Sequence, residues 1–365
     1  MKKIKDSFAG VIFGFILLIV GTCLLWWNEG NNVRNIATTN EVAKTAIEIS
    51  SDKVDSSNEG KLVVVSDKLN VIDENVTDTE FNISLKTANL KRTVEVYQWV
   101  QKEDTDDDGN TTYSYEKEWS EDLIDSSNFK QGGHENPSSI PYSSESFYAK
   151  DVKLGAFSLS SDQVEKLSPD KTYNAKETEA KEGYNYQAEY LTNAEDIGKP
   201  QVGDIRISWS YNDWVETTVL AVQKGESFAA FTSNKGKTVN RVEKGTLTID
   251  QIVEKMNKEN KFMKWLLRGV GALLIVFGYL SILGPISTLA SFVPILGGIV
   301  GGLLGVLALL VGLVHSLIII VIAWFRFRPV LSIVLLVVIV ALILCIIKLL
   351  KSKKKPIEQT EVQQA

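Results

Sequence analysis

Residues 269–325 read GVGALLIVFGYLSILGPISTLASFVPILGGIVGGLLGVLALLVGLVHSLIIIVIAWF and contain no Asp, Glu, Lys or Arg. A helix at the surface of a soluble protein keeps a polar face toward water, and this stretch offers none. It is also far longer than the roughly 20 residues that cross a hydrocarbon core about 30 Å thick. The sequence therefore predicts a membrane protein that crosses the bilayer several times.

Two shorter apolar runs, at 8–27 and 330–350, bring the predicted number of transmembrane helices to four. The long run divides at its glycine and proline breaks, because proline removes a helical hydrogen bond. The predicted segments are an N-terminus at 1–7, spans at 8–27, 263–284, 295–325 and 330–350, a short broken connection at 285–294, a tight turn at 326–329 and a basic tail at 351–365. A re-entrant path through 289–302 is an alternative, since protein can bury broken backbone at membrane depth.

The first apolar run is interpreted as an uncleaved anchor. The alternative is a cleaved signal peptide, with Lys2, Lys3 and Lys5 as its basic region. A signal core is roughly 7–15 residues long and ends at small residues. This run is longer, and Trp26 and Trp27 stand at its end, which favours the anchor.

Charge at the two ends of the chain predicts that both termini are cytoplasmic. Lysines precede the first span and follow the last, and cytoplasmic segments are enriched in basic residues. Tryptophans near the span ends would then lie at the opposite interface, which suits a ring that is apolar except for one N–H. Five basic residues at that interface favour the reverse orientation; they are Lys261, Lys264, Arg268, Arg326 and Arg328. We give them less weight because long domains translocate largely regardless of charge.

A large polar segment, 28–262, separates the first two spans and is predicted to be an extracytoplasmic domain. The chain holds 39 Lys plus Arg and 45 Asp plus Glu; 12 and three of these lie outside the segment, which leaves 27 basic and 42 acidic residues and a net charge of −15. Such a charge repels phosphate backbones, so nucleic acid is not an expected partner. The segment has no cysteine; Cys23 and Cys345 lie in predicted spans near opposite faces of the bilayer, too far apart to pair.

The domain is predicted to be rich in β-strands. Five stretches enriched in β-branched and aromatic residues favour strands: 61–65, 94–100, 111–119, 204–209 and 217–222. Residues 31–50 and 249–260 are predicted to be helical, and 168–184 is predicted to be a helix or an exposed excursion. The fold class is therefore α+β, with four transmembrane helices and a large β-rich extracytoplasmic domain inserted between helices 1 and 2.

Several blocks of this sequence resemble the LUMA family, also called transmembrane protein 43. The blocks are NEG at 28–30, NEGKLV at 58–63, VEVYQWV at 94–100, YSY at 113–115, EW at 118–119, NF at 128–129, GHENPS at 133–138, and Pro200 followed by VGDIRIS at 202–208. Their order and the positions of the spans also resemble the family. The resemblance therefore covers nearly the whole chain.

The resemblance implies a four-pass protein with a large domain between its first two spans. It implies, for animal members, self-associating proteins of the inner nuclear membrane and endoplasmic reticulum that bind emerin and lamins. No catalytic residues are established for the family, so the resemblance implies none. The short MKKIK start and the cysteine-free domain favour a bacterial source, which has no lamina, so we do not transfer these partners. The expected location is the cytoplasmic membrane in a bacterium, or the two animal membranes in a eukaryote.

One acidic stretch resembles the start of a calcium-binding loop. Asp104, Asp106 and Asp108 alternate, and Gly109 follows at the position of the sharp turn. Tyr115 stands where such a loop needs its final bidentate glutamate. An acidic hairpin tip with an Asp-Gly turn explains the same residues, and we predict no calcium site.

Each of the two histidines can be interpreted either as a structural residue or as part of a functional site. A metal site or a hydrolytic triad at His134 would need patterned ligands or a Gly-x-Ser-x-Gly turn, and the sequence has neither near it. His134 is therefore interpreted as a turn residue before Asn136 and Pro137. His315 is ionisable and lies inside the uncharged run, which makes it a functional candidate, although a hydrogen bond to a neighbour such as Ser316 is the preferred explanation.

Glycines at spacings of three and four predict a helix-packing or oligomer face, with local flexibility as an alternative. They are Gly297, Gly298, Gly301, Gly302 and Gly305. The sequence as a whole predicts a non-enzymatic membrane scaffold that self-associates and presents its acidic domain to unidentified membrane or envelope proteins. The alternative is a small-solute or ion pathway through oligomerised helices, and an envelope enzyme is less favoured. No catalytic, cofactor-binding or metal-binding residue and no cofactor are predicted; the lipid bilayer and further copies of the chain are expected partners.

Overall fold

The computed structural model describes residues 2–72, 75–105, 110–176, 181–187, 189–290, 296–334 and 337, with side chains described outside 2–9 and 287–300. The chain divides into two compact units. We call Met1–Ala37 together with Asn257–Ala365 the membrane unit, and Thr38–Met256 the β unit.

The described residues include the α-helices α1 Lys2–Thr45, α2 Ser161–Val164, α3 Ile249–Ala290 and α4 Leu296–Phe327. Three of them contain stretches long and apolar enough to cross a membrane: Gly10–Thr45, Ile249–Ile286 and Gly301–Phe327. The predicted fourth span, 330–350, lies mostly outside the described residues, of which 329–334 are helical. The predicted count of four transmembrane helices is therefore not supported, because three spans are found in the described part of the chain.

Helix α3 shows that the predicted broken connection at 285–294 begins too early. The helix continues through Gly284 and Pro285 and ends at Ala290. Proline frees the carbonyl four residues before it, and transmembrane helices tolerate this because neighbouring groups satisfy the freed carbonyl. Residues 291–295 lie outside the described part of the chain, so the re-entrant alternative stays a prediction there.

The described residues of the β unit form eighteen strands. They are β1 Ile47–Glu48, β2 Leu62–Val71, β3 Val76–Asp78, β4 Ile83–Leu85, β5 Asn89–Thr105, β6 Thr111–Ser120, β7 Glu145–Tyr148, β8 Val152–Leu154, β9 Phe157–Ser158, β10 Lys171–Tyr173, β11 Asn185–Gln187, β12 Tyr190–Thr192, β13 Ile205–Tyr211, β14 Glu216–Lys224, β15 Ser227–Ala229, β16 Phe231–Thr232, β17 Thr238–Val239 and β18 Arg241–Lys244. The five predicted strands are confirmed within β2, β5, β6, β13 and β14. The predicted helix at 31–50 is confirmed as far as Thr45, where α1 ends, but Ile47–Glu48 form strand β1 instead. The predicted helix at 249–260 is the start of α3. The described part of 168–184 forms strand β10 and loops rather than a helix, and 177–180 lie outside it.

The strands form two seven-stranded sheets and two two-stranded ribbons. The first sheet has the order β15-β14-β2-β8-β9, with β1 beside β2 and β18 beside β14. The second has the order β11-β12-β13-β5-β6, with β10 beside β13 and β7 beside β5. The pair β1 and β2 is parallel, whereas the long pairs of β5 with β6 and of β14 with β2 are antiparallel.

Strand β2 is buried on both faces because the β unit has three layers. Val63 packs into a core that also holds Trp209 of the second sheet. Val64 faces the other way and packs with Val42 of α1 and Ile252 of α3. A strand covered on both faces reads as a continuous apolar run, which is why residues 62–65 are LVVV. The ends of two helices thus complete the core of the β unit.

Candidate functional site

Helices α1 and α3 of the membrane unit meet at glycines that the sequence pattern did not single out. A Cβ on Gly14 would lie 2.7 Å from the carbonyl oxygen of Gly278, and a Cβ on Gly21 would lie 2.9 Å from that of Gly271. Real Cβ atoms essentially never approach another atom so closely. The two helices therefore lie this close only because these positions lack side chains, which is the way small residues pack membrane helices.

The predicted glycine face on α4 does not serve this packing. Among the described residues, no heavy atom beyond the neighbouring residues and backbone of α4 itself lies within 4 Å of a Cβ built on Gly302 or Gly305. Gly312, which the spacing did not predict, does make a close contact: its Cβ would lie 2.6 Å from Cγ2 of Val276. The surroundings of 297–298 lie outside the described side chains. A contact between the α4 glycines and a second copy of the chain stays a prediction.

A buried ion pair lies near the end of the predicted first span. Glu29 of α1 is fully buried, and its Oε1 accepts a hydrogen bond from Nε of Arg268 on α3 at 2.6 Å. Its Oε2 accepts a hydrogen bond from the indole N–H of Trp324 on α4 at 2.9 Å. Removing a carboxylate from water costs several kcal/mol unless it is paired and hydrogen-bonded. Both oxygens of Glu29 are occupied, each by a different helix, so this residue fixes how α1, α3 and α4 meet near the ends of the predicted spans.

Neighbouring side chains extend this arrangement. The amide of Asn28 donates to the carbonyl oxygen of Lys264 at 3.1 Å, and Nη2 of Arg328 donates to Oδ1 of Asn32 at 2.5 Å. A Cβ on Gly30 would lie 2.8 Å from a ring carbon of Phe327 on α4. We call the polar group the helix-end cluster: Asn28, Glu29, Asn32, Lys264, Arg268, Trp324 and Arg328. Sequence reasoning used the NEG block at 28–30 only as a mark of resemblance; a glutamate directly after an apolar run was the signal that could have found the cluster.

His315 on α4 lies between hydroxyl groups of two other helices. Its Nδ1 is 3.1 Å from the hydroxyl oxygen of Tyr279 on α3, and its Nε2 is 3.3 Å from that of Thr22 on α1. A neutral imidazole has one donor and one acceptor nitrogen, and a hydroxyl can match either. Ser316, the neighbour considered from the sequence, instead donates to the carbonyl oxygen of Gly312 at 2.7 Å.

In the β unit, the loop at 121–138 is fastened to strand β5 by side-chain amides. Oδ1 of Asn136 accepts from the backbone N–H of Trp99 at 2.7 Å, and its Nδ2 donates to the carbonyl oxygen of the same residue at 2.9 Å. Gln98 is fully buried and bonds to the carbonyl oxygen of Asp122 and the N–H of Ile124. Asn136 thus supplies the hydrogen bonds that a neighbouring strand would supply.

His134 lies in this irregular loop and belongs to an aromatic group. Its ring stacks on Tyr115 with centroids 3.8 Å apart, and it meets Trp99 edge-on at 4.6 Å. The hydroxyl of Tyr115 donates to the side chain of Gln101 at 2.8 Å and accepts from the N–H of Gln131 at 2.9 Å. The interpretation of His134 as only a turn residue missed this stacking, because strand β6 brings Tyr115 to it from outside the loop.

The loop also forms a groove of about 620 Å³. Its walls include Leu123, Ile124, Phe129, His134 and Pro137 together with two carboxylates. Hydrogen bonds from Ser127 hold the pKa of Asp125 below its ordinary value, and the backbone N–H of Gly133 does the same for the pKa of Glu135. Both carboxylates therefore stay charged at neutral pH, and the groove combines apolar surface with negative charge.

The family profile described as Transmembrane protein 43 matches residues 96–329, which is more than half of the chain. The chain belongs to the transmembrane protein 43 family. It is 26% identical to Transmembrane protein 43 of Homo sapiens over 358 residues, which cover 92% of this chain and 88% of that protein. It is 27% identical to Transmembrane protein 43 homolog of Drosophila melanogaster over 357 residues, which cover 92% and 93%. No solved structure matches the chain.

The relatives confirm the resemblance stated from the sequence blocks, and with it an integral, multi-pass membrane protein. In this member of the transmembrane protein 43 family, most of those blocks meet in space. The blocks at 94–100, 113–115 and 133–138 form the aromatic group and its asparagine anchor. The block at 202–208 lies on β13, directly beside β5. The bacterial source stays a prediction.

Residues 106–109 of the acidic loop, with Asp106, Asp108 and Gly109, lie outside the described residues. Its flanks are described: β5 and β6 pair from Val96 with Ser120 to Thr105 with Thr111. This hairpin agrees with the interpretation of the loop as a hairpin tip. Within the described parts of the chain, no group of three or more His, Cys, Asp or Glu side chains is arranged to hold a metal ion.

A second buried carboxylate repeats, in the β unit, the chemistry of Glu29. Oδ1 of Asp78 accepts from Nη1 of Arg92 at 2.7 Å, and Oδ2 accepts from the indole N–H of Trp209 at 2.9 Å. Arg92 also donates to Glu145 at 3.1 Å. Asp78 is fully buried beside the core between the two sheets. The carboxylate joins strands β3, β5 and β13, and its role is structural.

Proposed function

We propose that this member of the transmembrane protein 43 family is a non-enzymatic membrane scaffold. Its helices would anchor and self-associate, and its acidic β unit would bind membrane or envelope proteins. The observation that carries the proposal is that the buried carboxylate of Glu29 on α1 pairs with Arg268 of α3 and bonds to Trp324 of α4, which joins three helices. Groups held inside the fold stabilise one arrangement of helices, whereas transport or catalysis needs groups that exchange partners.

The groove beside His134 supports a protein-binding role for the β unit. Its volume falls within the range of roughly 300–1,000 Å³ that binding sites occupy. The groove presents aromatic side chains and charged groups together, and such a surface suits the residues by which a partner protein anchors itself at an interface. The charged carboxylates of Asp125 and Glu135 favour a partner segment that carries Lys or Arg next to an apolar residue.

The proposed topology has both termini in the cytoplasm and the β unit on the other side, in the cytoplasmic membrane if the source is bacterial. It requires the predicted fourth span at 330–350. The pairing of Arg268 with Glu29 supports it, because one of the five basic residues that favour the reverse orientation then has a structural role inside the protein. The basic tail at 351–365 remains the larger concentration of positive charge at a span end.

Site-specific photo-crosslinking in native membranes tests the partner surface. A photoreactive amino acid at Ser138, which is exposed at the groove, should capture a defined partner. The same amino acid at Asp162, which is exposed on α2, is the matched control and should not. Identical crosslinking patterns at the two positions would remove the groove from the proposal.

A small-solute or ion pathway through an oligomer is the second candidate. The observation that favours it is the row formed by Thr22, His315 and Tyr279, three hydrogen-bonding side chains within the membrane unit. Ion flux from liposomes that contain the purified full-length protein separates the two functions. A scaffold should give the flux of protein-free liposomes, whereas a pathway should give a larger flux that His315→Ala alters.

A further inference from the structure

The helix-end cluster carries more positive charge than the protein neutralises. Lys264 and Arg328 bond to Asn28 and Asn32, which lie one turn apart on α1, so the two cations are close together. Lys264 is repelled by Lys261, Arg268 and Arg328 and attracted by Glu29. Within the cluster, the three cations Lys264, Arg268 and Arg328 against the single carboxylate of Glu29 leave two positive charges in excess. Both oxygens of Glu29 already accept hydrogen bonds from a guanidinium and an indole. Arg268 already balances the charge of this carboxylate, so Glu29 does not also neutralise the lysine ammonium.

Two further groups that contact these cations are neutral. Arg328 donates to the amide oxygen of Asn32, and Nζ of Lys264 lies 5.6 Å from the ring centroid of Trp265. An amide and an aromatic ring attract a cation but do not remove its charge. Lys264 and Arg328 are half-buried, so water screens their repulsion less than it would at an open surface. An anion from outside the protein would relieve this repulsion.

The surroundings of the cluster are those of a membrane interface. Trp265 is 58% exposed, Trp27 50% and Phe262 67%. Exposed tryptophan is typical of the headgroup level of a bilayer, where its apolar ring meets lipid and its N–H meets water. The anion present at that level in high local concentration is the phosphate of a phospholipid.

We propose that the helix-end cluster binds the headgroup phosphate of an anionic phospholipid, with Lys264 and Arg328 as the principal contacts. A guanidinium can bind two phosphate oxygens at once, and the lysine ammonium adds a second cation from another helix. An anionic lipid brings a net negative charge, whereas a zwitterionic lipid brings its own cation, which would be repelled. The acyl chains meet the exposed aromatic rings, which free phosphate cannot do. This inference does not depend on the scaffold proposal.

Native mass spectrometry of the full-length protein tests the proposal directly. The protein is prepared in nanodiscs of phosphatidylcholine mixed with phosphatidylglycerol, and the lipids that it retains are counted. The wild-type chain should retain phosphatidylglycerol in preference to phosphatidylcholine. The double variant Lys264→Gln/Arg328→Gln should lose roughly 10- to 30-fold of that preference, since each basic residue near an anionic surface contributes about one kcal/mol.

Matched variants separate lipid binding from loss of charge or of folding. The variant Lys68→Gln/Lys224→Gln removes two exposed charges from β2 and β14 and should keep the preference. The charge-conserving variant Lys264→Arg/Arg328→Lys should keep most of it. A Lys264→Gln/Arg328→Gln protein that melts like the wild type in phosphatidylcholine nanodiscs and still prefers phosphatidylglycerol would overturn the proposal. Inorganic phosphate that raises the melting temperature in phosphatidylcholine nanodiscs as much as phosphatidylglycerol does would overturn the assignment to lipid.

Discussion

At the residue scale, Glu29 carries the largest expected effect in the membrane unit. Glu29→Gln would leave the guanidinium of Arg268, whose side chain is 12% exposed, without its counter-charge. Breaking a buried pair in this way costs about 3–5 kcal/mol, and we expect the lower end because Arg268 keeps some contact with solvent. The melting temperature of the full-length protein in detergent should fall clearly. The double variant Glu29→Gln/Arg268→Met should lose less than the sum of the two single variants, and additive losses would contradict the coupling.

In the loop at 121–138, Asn136 carries the largest expected effect on stability. Asn136→Ala would remove the two hydrogen bonds to the backbone of Trp99, and an unsatisfied part-buried group of this kind costs about 1–3 kcal/mol. His134→Ala is the matched comparison, because it removes a ring contact worth about 0.5–1.5 kcal/mol and leaves those hydrogen bonds in place. Thermal melting followed by tryptophan fluorescence measures both. A larger loss for His134→Ala would mean that stacking, and not the amide, fastens the loop.

Several carboxylates of the β unit predict how its stability depends on pH. The backbone N–H of Ser57 lowers the pKa of Asp55, the side chain of Ser127 lowers that of Asp125, and Gly133 lowers that of Glu135. A carboxylate whose pKa is lower in the folded state than in the unfolded state stabilises the fold. This stabilisation is fully present above the unfolded pKa, near pH 4, and is lost as the pH falls through the folded pKa. The melting temperature should therefore decrease when the pH is lowered below about 4.

Asp125→Asn is the variant that checks this pH dependence. Asparagine keeps an oxygen that can accept the hydrogen bond from the N–H of Ser127, but it does not titrate. The loss of stability between neutral and acid pH should be smaller in this variant than in the wild type. Equal acid losses in both proteins would exclude Asp125 from the effect.

At the element scale, the contact between α1 and α3 depends on the absence of side chains. A Cβ on Gly278 would lie 2.8 Å from Cδ2 of Leu18 and 2.9 Å from the carbonyl oxygen of Gly14. Gly278→Ala should therefore force the helices apart and lower the melting temperature in detergent. Gly302→Ala is the matched control, since the described structure has open space there and alanine is the better helix former. Equal effects of the two substitutions would show that helix propensity, and not the close approach, is being measured.

At the scale of the whole molecule, the prediction is the topology. In a background without Cys23 and Cys345, a cysteine at Ser57, which is exposed in the β unit, should react with an impermeant maleimide in intact cells. A cysteine at Ser352 in the basic tail should react only after the membrane is made permeable. Labelling of Ser352 but not Ser57 in intact cells would invert the orientation. Labelling of both in intact cells would remove the fourth span.

The sequence by itself determined the features that depend on local composition. Uncharged apolar runs indicated membrane spans because each side chain that contacts lipid must itself be apolar. Stretches rich in β-branched and aromatic residues, such as 94–100 and 217–222, indicated strands because those side chains individually favour extended backbone. The order of short blocks was enough to identify the family. A single proline was not enough to end a helix at 285, since neighbouring groups can satisfy the backbone that it frees.

Tertiary structure alone decided which residues act together. Glu29 and Trp324 form a hydrogen bond although they lie at opposite ends of the chain, and Gly14 meets Gly278 rather than any glycine near it in sequence. Gly302 and Gly305 had the spacing expected of a packing face, but the described contacts between helices fall on other glycines, among them Gly312 of the same helix. Spacing along one helix fixes which residues share a face, whereas the partner of that face is fixed by the packing of the other helices. For that reason the helix-end cluster and its excess of positive charge become visible only when three helices are brought together.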